Sequence, residues 1–167
     1  MIAAVVLAAG AATRFGSPKQ ALTLPSVLAA LTETSVDEVV VVSGAYPLAI
    51  EDTRVVRCPE WARGPGASLR CGLRAVSGDV EAAVVVLADG PWLVPAAVER
   101  VVTAWRDTGE IVAASYGGER GHPVVVGRAS WDAIPDEGAR SVPARLVPCD
   151  DLGAPGDVDT PADLASR

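Results

Sequence analysis

The chain has 167 residues, half of them hydrophobic and 21% charged, with a formal net charge of −7 at pH 7. This composition excludes a disordered chain, and the acidic balance argues against a protein that wraps a nucleic-acid backbone. No apolar run reaches the roughly 18 residues of a membrane span, and no basic segment precedes the first strand, so we expect no membrane contact. We expect one domain over residues 1–167.

The cysteines predict the compartment. Cys58, Cys71 and Cys149 are scattered and form no C-x-x-C pair. An odd and dispersed set of this kind is typical of a reducing environment. The sequence therefore predicts a cytoplasmic protein with three unreactive thiols.

The first strand is predicted over residues 1–6, which are apolar and β-branched, and a loop of small residues follows it over 7–20. Small residues allow backbone N–H groups to approach phosphate oxygens, and Arg14 and Lys19 add positive charge. The loop therefore predicts an anion site. Its two glycines match neither a dinucleotide-binding fingerprint nor a Walker A loop in spacing.

Hydrophobic periodicity predicts the remaining elements. We expect helices over 26–34, 66–76 and 95–109, a further helix beginning within 136–140, and a last helix from Pro161, with strands over 39–43, 55–56, 81–88, 111–115 and 124–126. The valine runs in these strands predict burial on both faces of a sheet. Strands that alternate with helices favour a three-layer α/β sandwich with a mostly parallel sheet.

Carboxylates stand out at two places. Asp89 follows the strand over 81–88, at the end where α/β sheets bind ligands, although a turn aspartate is the alternative. Asp157 and Asp159 precede residues 160–163, whose Thr-Pro-Ala-Asp sequence defines a helix start without needing them. The alternative for this pair is an ordinary acidic loop.

Three further features can be interpreted in more than one way. A helix that begins Gly66-Ala67-Ser68 offers N–H groups and a positive dipole end to an anion or a nucleobase carbonyl, while Ser68 is also an ordinary capping residue. His122 is the only histidine, which excludes a catalytic triad and a histidine metal cluster. We weigh a structural turn and a substrate contact equally for His122. Arg140 is either a phosphate contact or a solvated charge.

Several of these segments together resemble a known family. Leu7-Ala-Ala-Gly10, Arg14-Phe-Gly and Pro18-Lys-Gln resemble the signature loop of nucleotidyltransferases that make activated sugars and cofactors, most closely its MobA/MocA-like molybdopterin branch. The segments Trp61 to Leu73, Asp89-Gly-Pro91, Gly121-His-Pro123 and Asp157 to Leu164 resemble further motifs of that family, in the same order. The chain departs from the family at Gly90, where a larger residue is expected, and in the short stretch after Lys19.

The resemblance implies a Rossmann-like nucleotide-diphospho-sugar transferase fold and a reaction. A nucleoside monophosphate would move from a nucleoside triphosphate, CTP before GTP, to a phosphorylated acceptor such as molybdopterin. It also implies transient contact with a molybdoenzyme or a cofactor-synthesis protein.

The resemblance also implies a role for each site residue. Arg14 and Lys19 would act as catalytic residues on the triphosphate, and Asp89 with Asp159, preferred over Asp157, would hold Mg²⁺. His122 would face the acceptor. The nucleotide would contact Leu7, Ala8, Ala9, Gly10, Gly66 and Ser68.

Two other functions stay open. Some proteins that resemble this branch are named nicotine-blue oxidoreductases, although neither a dinucleotide fingerprint nor a flavin signature is present in this sequence. A non-catalytic nucleotide-binding relative is the other alternative, because the stretch after Lys19 is short.

Overall fold

The computed structural model describes residues 1–11 and 19–165. Its seven strands are β1 (Ile2–Ala8), β2 (Glu38–Ser43), β3 (Arg54–Arg57), β4 (Ala82–Leu87), β5 (Val112–Tyr116), β6 (Glu119–Gly127) and β7 (Arg145–Pro148). Its helices are α1 (Gln20–Thr32), α2 (Pro65–Ala75), α3 (Pro95–Thr108) and α4 (Pro161–Ala165). Short 3₁₀ turns lie between them, among them Ala139–Ser141.

The strands form one sheet in the order β3-β2-β1-β4-β6-β5-β7. β1 pairs in parallel with β2 and β4, and the β2–β3 and β5–β7 pairs are parallel as well. β6 alone among the described strands runs the other way, because it forms a hairpin with β5 through Gly117 and Gly118, both at positive φ. The prediction of a mostly parallel α/β sheet is confirmed.

The core lies on both faces of the sheet. Along β1, Ile2, Ala4 and Val6 point into a cluster with α1 and α3, whereas Ala3 and Val5 point into a second cluster with α2. This alternation follows from the two-residue period of a strand, and small β-branched side chains suit a strand covered on both sides. The arrangement is the predicted three-layer sandwich.

Some predicted boundaries are wrong. Helix α1 begins at Gln20, before the predicted residue 26, and continues through Pro25. Gln20, Thr23 and Leu24 are buried, so packing of the first turns outweighs the proline, which lies on the exposed side. The segment 136–140 yields only the 3₁₀ turn Ala139–Ser141 instead of a helix.

The prediction of three unreactive thiols is also wrong. Cys58, just after β3, and Cys71 in α2 form a disulfide, with Cα atoms 5.7 Å apart. The sheet brings the end of β3 beside α2, a proximity that cysteine spacing does not show. Cys149 is free and buried, and burial raises the pKa of its thiol, which keeps it unreactive as expected.

In the part of the chain that the structure covers, no helix is both long enough and apolar enough to cross a bilayer.

Candidate functional site

Two predicted carboxylates and the predicted lysine meet at one edge of the sheet. The ammonium of Lys19 lies 3.3 Å from Asp89 Oδ2 and 3.3 Å from Asp159 Oδ1. Lys19 lies just before α1, and Asp89 comes two residues after β4 ends. Because β1 and β4 are parallel neighbours, the segments that follow them leave the sheet at the same edge.

Backbone hydrogen bonds hold the C-terminal segment at this edge. The N–H of Val158 donates to the carbonyl of Asp89 over 2.9 Å, which places Asp159 next to the end of β4. The carboxylate of Asp163 accepts hydrogen bonds from the N–H groups of Asp159 and Thr160, so the predicted start of α4 at Pro161 is confirmed.

Lys19 is almost enclosed. It is 8% exposed, and besides the two carboxylates it donates a hydrogen bond to the carbonyl of Val158. An ammonium group has three hydrogens to donate, so these three acceptors match its capacity. In this structure Lys19 compensates the charge of Asp89 and Asp159.

Asp157 adds a third acidic group. Burial raises the pKa of its carboxyl, and the nearby charges of Asp89 and Asp159 raise the pKa further. Three carboxyl groups therefore share the positive charge of Lys19, and the surplus of negative charge favours an additional cation.

The donor chemistry fits a hard divalent cation. Asp89 and Asp159 already converge on the ammonium of Lys19, so both carboxylates face a single position of positive charge. Within residues 1–11 and 19–165, no group of three or more His, Cys, Asp or Glu side chains is arranged as a metal cage. Mg²⁺ does not need a cage, since it is commonly held by one or two carboxylates, water and substrate phosphates.

Two cavities meet beside this cluster. One has a volume of about 390 Å³. Its walls include Leu93, Tyr116 and Pro155. The other has a volume of about 310 Å³ and is bounded by Leu7 and Leu69. The two cavities share a boundary formed by Leu87, His122, Arg140 and Asp157, which we call the junction.

His122 lies at the junction without positive charge near neutral pH. Burial, reinforced by the charge of Arg140, lowers the pKa of its imidazole to about 4. The backbone carbonyl of His122 accepts a hydrogen bond of 3.0 Å from the hydroxyl of Tyr116. The neutral ring can therefore act as a hydrogen-bonding group towards a ligand but adds no charge.

The lowered pKa of His122 predicts acid sensitivity. An unfolded histidine takes up a proton near pH 6.5, whereas the folded one resists protonation until about pH 4. The stabilisation is complete above pH 6.5 and is lost as the pH falls towards 4, by up to about 3 kcal/mol. Urea unfolding of the wild type and of His122→Gln between pH 7 and 4 should show the wild type losing more stability. Parallel curves would contradict this.

The residues that are predicted to contact the nucleotide have different surroundings in the structure. Leu7 lines the 310 Å³ cavity, whereas Ala8 and Ala9 are buried. The carbonyl of Gly10 accepts a hydrogen bond from the side chain of Gln20. Arg14 lies outside the described residues.

The prediction of a free N–H at Gly66 is wrong, because this N–H donates to the carbonyl of Asp136 over 2.9 Å. Ser68 is buried, and its N–H donates to the carbonyl of Gly64, the residue before α2, over 3.4 Å. The start of α2 packs against residues 135–138. This contact could not be predicted from hydrophobic periodicity, because it joins segments far apart in the sequence. Nucleotide contacts at Gly66 and Ser68 stay predictions.

Sequence reasoning missed Arg120 and gave Arg140 no definite role. Both line a third cavity of about 350 Å³ that also includes His122. Neither arginine could be recognised as a site residue from the sequence, since an isolated arginine on a strand or turn is usually solvated. Only the antiparallel course of β6 brings Arg120 to the edge that holds Asp89.

Comparison with known proteins agrees with the fold. A family model described as the MobA-like NTP transferase domain matches residues 4–148. No curated protein matches the chain.

Solved structures give the same picture. The chain is 30% identical to Rv0371c from Mycobacterium tuberculosis H37Rv, with a TM-score of 0.83 over 98% of this chain and 95% of that one. A manganese complex of Rv0371c matches at 28% identity and a TM-score of 0.79, over 98% and 96% of the two chains.

A 4-diphosphocytidyl-2C-methyl-D-erythritol synthase from Anaerococcus prevotii DSM 20548 matches at 14% identity, which shows the fold alone, with a TM-score of 0.71 over 99% and 95% of the chains. The predicted nucleotide-diphospho-sugar transferase fold is confirmed.

Proposed function

Because the chain belongs to the MobA-like NTP transferase family, we propose that it moves a nucleoside monophosphate from a nucleoside triphosphate to a phosphorylated acceptor. The coarser activity, nucleotidyl transfer, follows from the family. The substrates, the metal and the residue roles below are proposals.

In the proposed reaction, a phosphate oxygen of the acceptor attacks the α-phosphorus of the triphosphate. A new bond forms between that oxygen and the α-phosphorus, and the bond from the α-phosphorus to the bridging oxygen of the β-phosphate breaks. Pyrophosphate leaves with the electron pair. The attacking phosphate is already ionised near neutral pH, so no general base is needed, and positioning with charge compensation supplies the catalysis.

The observation that carries the proposal is the convergence of Asp89, Asp159 and Lys19 next to two cavities that meet. A two-substrate transfer needs two adjacent spaces and a charge-compensating centre at their boundary. Asp89 and Asp159 would hold a divalent cation, which would replace the ammonium of Lys19 as their counter-charge and leave Lys19, with Arg14, to bind the triphosphate. The cation, when bound, supplies neutralisation of phosphate charge and in-line orientation.

The finer assignments follow the resemblance. We propose Mg²⁺ as the metal, and the manganese complex of Rv0371c supports a divalent ion in a similar protein. CTP is the favoured donor and GTP the second, with molybdopterin as the acceptor and a molybdoenzyme or cofactor-synthesis protein as a transient partner. A cytoplasmic location is part of the same proposal, and it no longer rests on the cysteines, because Cys58 and Cys71 form a disulfide.

The proposal is tested by incubating the protein with each nucleoside triphosphate, Mg²⁺ and molybdopterin and following pyrophosphate. Thermal shift with each triphosphate and Mg²⁺ reports binding separately, since a ligand at a hundred times its dissociation constant adds about 2.7 kcal/mol of stability. Binding without pyrophosphate would indicate a non-catalytic relative. Consumption of NADH without binding of any triphosphate would favour the oxidoreductase alternative.

Asp159 and Asp157 can be separated by metal titration. We expect Asp159→Asn to weaken Mn²⁺ binding by about tenfold or more, because Asp159 shares the cation position with Asp89. Asp157→Asn should weaken it less, because the carboxylates that lie 3.3 Å from the ammonium of Lys19 are those of Asp89 and Asp159. Electron paramagnetic resonance of free Mn²⁺ measures both. The opposite ranking would assign the second ligand to Asp157.

A further inference from the structure

Arg140 is the one cation that lines the two meeting cavities, among the residues that the structure describes. The other charged groups of their walls are Asp157 and Glu137, and His122 is neutral near pH 7. Arg140 is exposed and forms an ion pair with no other described residue. Its guanidinium is therefore available to a ligand at the junction.

Arg120 holds the backbone that carries Arg140. Its guanidinium donates to the carbonyls of Ala139 and Val142 over 2.8 and 2.6 Å, and to the carbonyl of Arg140 over 3.4 Å. Burial lowers the pKa of Arg120, and the charge of Arg140 lowers it further. These hydrogen bonds to the backbone offset the electrostatic cost of placing two guanidinium groups close together. They also position the turn, and the side chain of Arg140 lines both cavities.

The walls on either side of the junction differ. The wall of the 390 Å³ cavity that is formed by Leu93, Tyr116 and Pro155 is largely apolar. The three acidic groups Asp89, Asp157 and Asp159 repel an incoming phosphate dianion at this edge. A phosphorylated ligand in that cavity therefore needs a cation at the junction, and a guanidinium suits a phosphate because it can donate two parallel hydrogen bonds.

We propose that Arg140 binds the phosphate of the acceptor at the junction, while the apolar part of the acceptor lies in the 390 Å³ cavity against Tyr116 and Leu93. The ligand class is a phosphomonoester of a largely apolar group. The inference rests on the proposed function for its reaction, but binding of such a phosphomonoester can be measured without any turnover. Arg120 is a positioning residue in this scheme.

The test is binding of phenyl phosphate, measured by calorimetry or by NMR titration, to the wild type and to variants of Arg140. We expect Arg140→Gln to weaken binding at least tenfold, because the phosphate loses its charged partner. Arg140→Lys should recover part of the affinity, since an ammonium provides charge but not the paired donors. Arg106→Gln, which removes an exposed arginine of α3, is the matched control and should bind like the wild type.

A second readout separates the acceptor from the nucleotide. In the pyrophosphate assay, Arg140→Gln should raise the KM for molybdopterin at least tenfold while the thermal shift given by the triphosphate is unchanged. If Arg140→Gln binds phenyl phosphate as the wild type does, the proposal is overturned, whether or not triphosphate binding is lost. If phenyl phosphate binds through Arg140 but no triphosphate releases pyrophosphate, the proposed reaction fails while the site stands.

Discussion

Asp89→Asn should lower kcat/KM for pyrophosphate release by about a hundredfold to a thousandfold. The substitution keeps the size of the side chain but removes one of the two carboxylates that converge on a cation position. Loss of a charge-stabilising group in the transition state has this magnitude in other enzymes. Initial rates at saturating Mg²⁺, with triphosphate and acceptor varied, measure the effect.

A matched control separates this effect from a loss of folding. Asp107→Asn removes an exposed carboxylate in the last turn of α3, at the opposite end of this helix from the segment that carries Asp89, and should leave kcat/KM unchanged. Because Asp89→Asn removes the charge of only one of the three acceptors of Lys19, both variants should melt cooperatively. A kcat/KM within about threefold of wild type in a folded Asp89→Asn protein would show that Asp89 is not a metal ligand.

Gly66→Ala should destabilise the protein by about 3 kcal/mol or more. A Cβ atom at Gly66 would lie 1.7 Å from the carbonyl oxygen of Pro135 and 2.9 Å from the nitrogen of Gly138. Both are backbone atoms, so no side chain can rotate away. The adjacent Asp136 cannot yield easily, because its carboxylate forms salt bridges with Arg63 and Arg70.

The control for this prediction is Gly78→Ala. A Cβ at Gly78 meets nothing within 4 Å, and its backbone is outside the left-handed region. We expect a change within about 0.5 kcal/mol, or a slight stabilisation through the unfolded state. Urea denaturation of both variants gives the comparison, and equal midpoints for the two would show that the contact between α2 and residues 135–138 is loose.

The sheet was predictable from sequence because its strands bury both faces. Three consecutive valines, as at residues 84–86 and 124–126, are typical of strands that are buried on both faces. The alternation of such strands with amphipathic helices favours parallel pairing. β7 was missed, since Arg145–Pro148 has two exposed residues at its start and ends on a proline. Its place in the sheet comes from pairing with β5, which is a tertiary effect.

The site was predictable only where carboxylates follow strands or precede helices. Asp89 and Asp159 stand at such positions, and a resemblance to a family linked them. The enclosure of Lys19 by three acceptors and the pairing of Cys58 with Cys71 depend on distances between segments far apart in the chain. Hydrophobic periodicity predicts single helices and strands, and it contains no information on the distances between them.

The reversed course of β6 has a consequence for how acceptor choice could change over evolution. Val124 of β6 pairs with Val85 of β4, so the hairpin tip at Gly117 and Gly118 projects at the same edge as Asp89. Lys19 and Asp89 lie in the segments that follow β1 and β4, and Asp159 lies just before α4, whereas Tyr116 and His122 belong to this hairpin. Residues added or removed at the tip would remodel the wall of one substrate and leave the carboxylates untouched. Under the proposed function, the fold thus places the catalytic carboxylates and the recognition of the acceptor on separate segments of the chain.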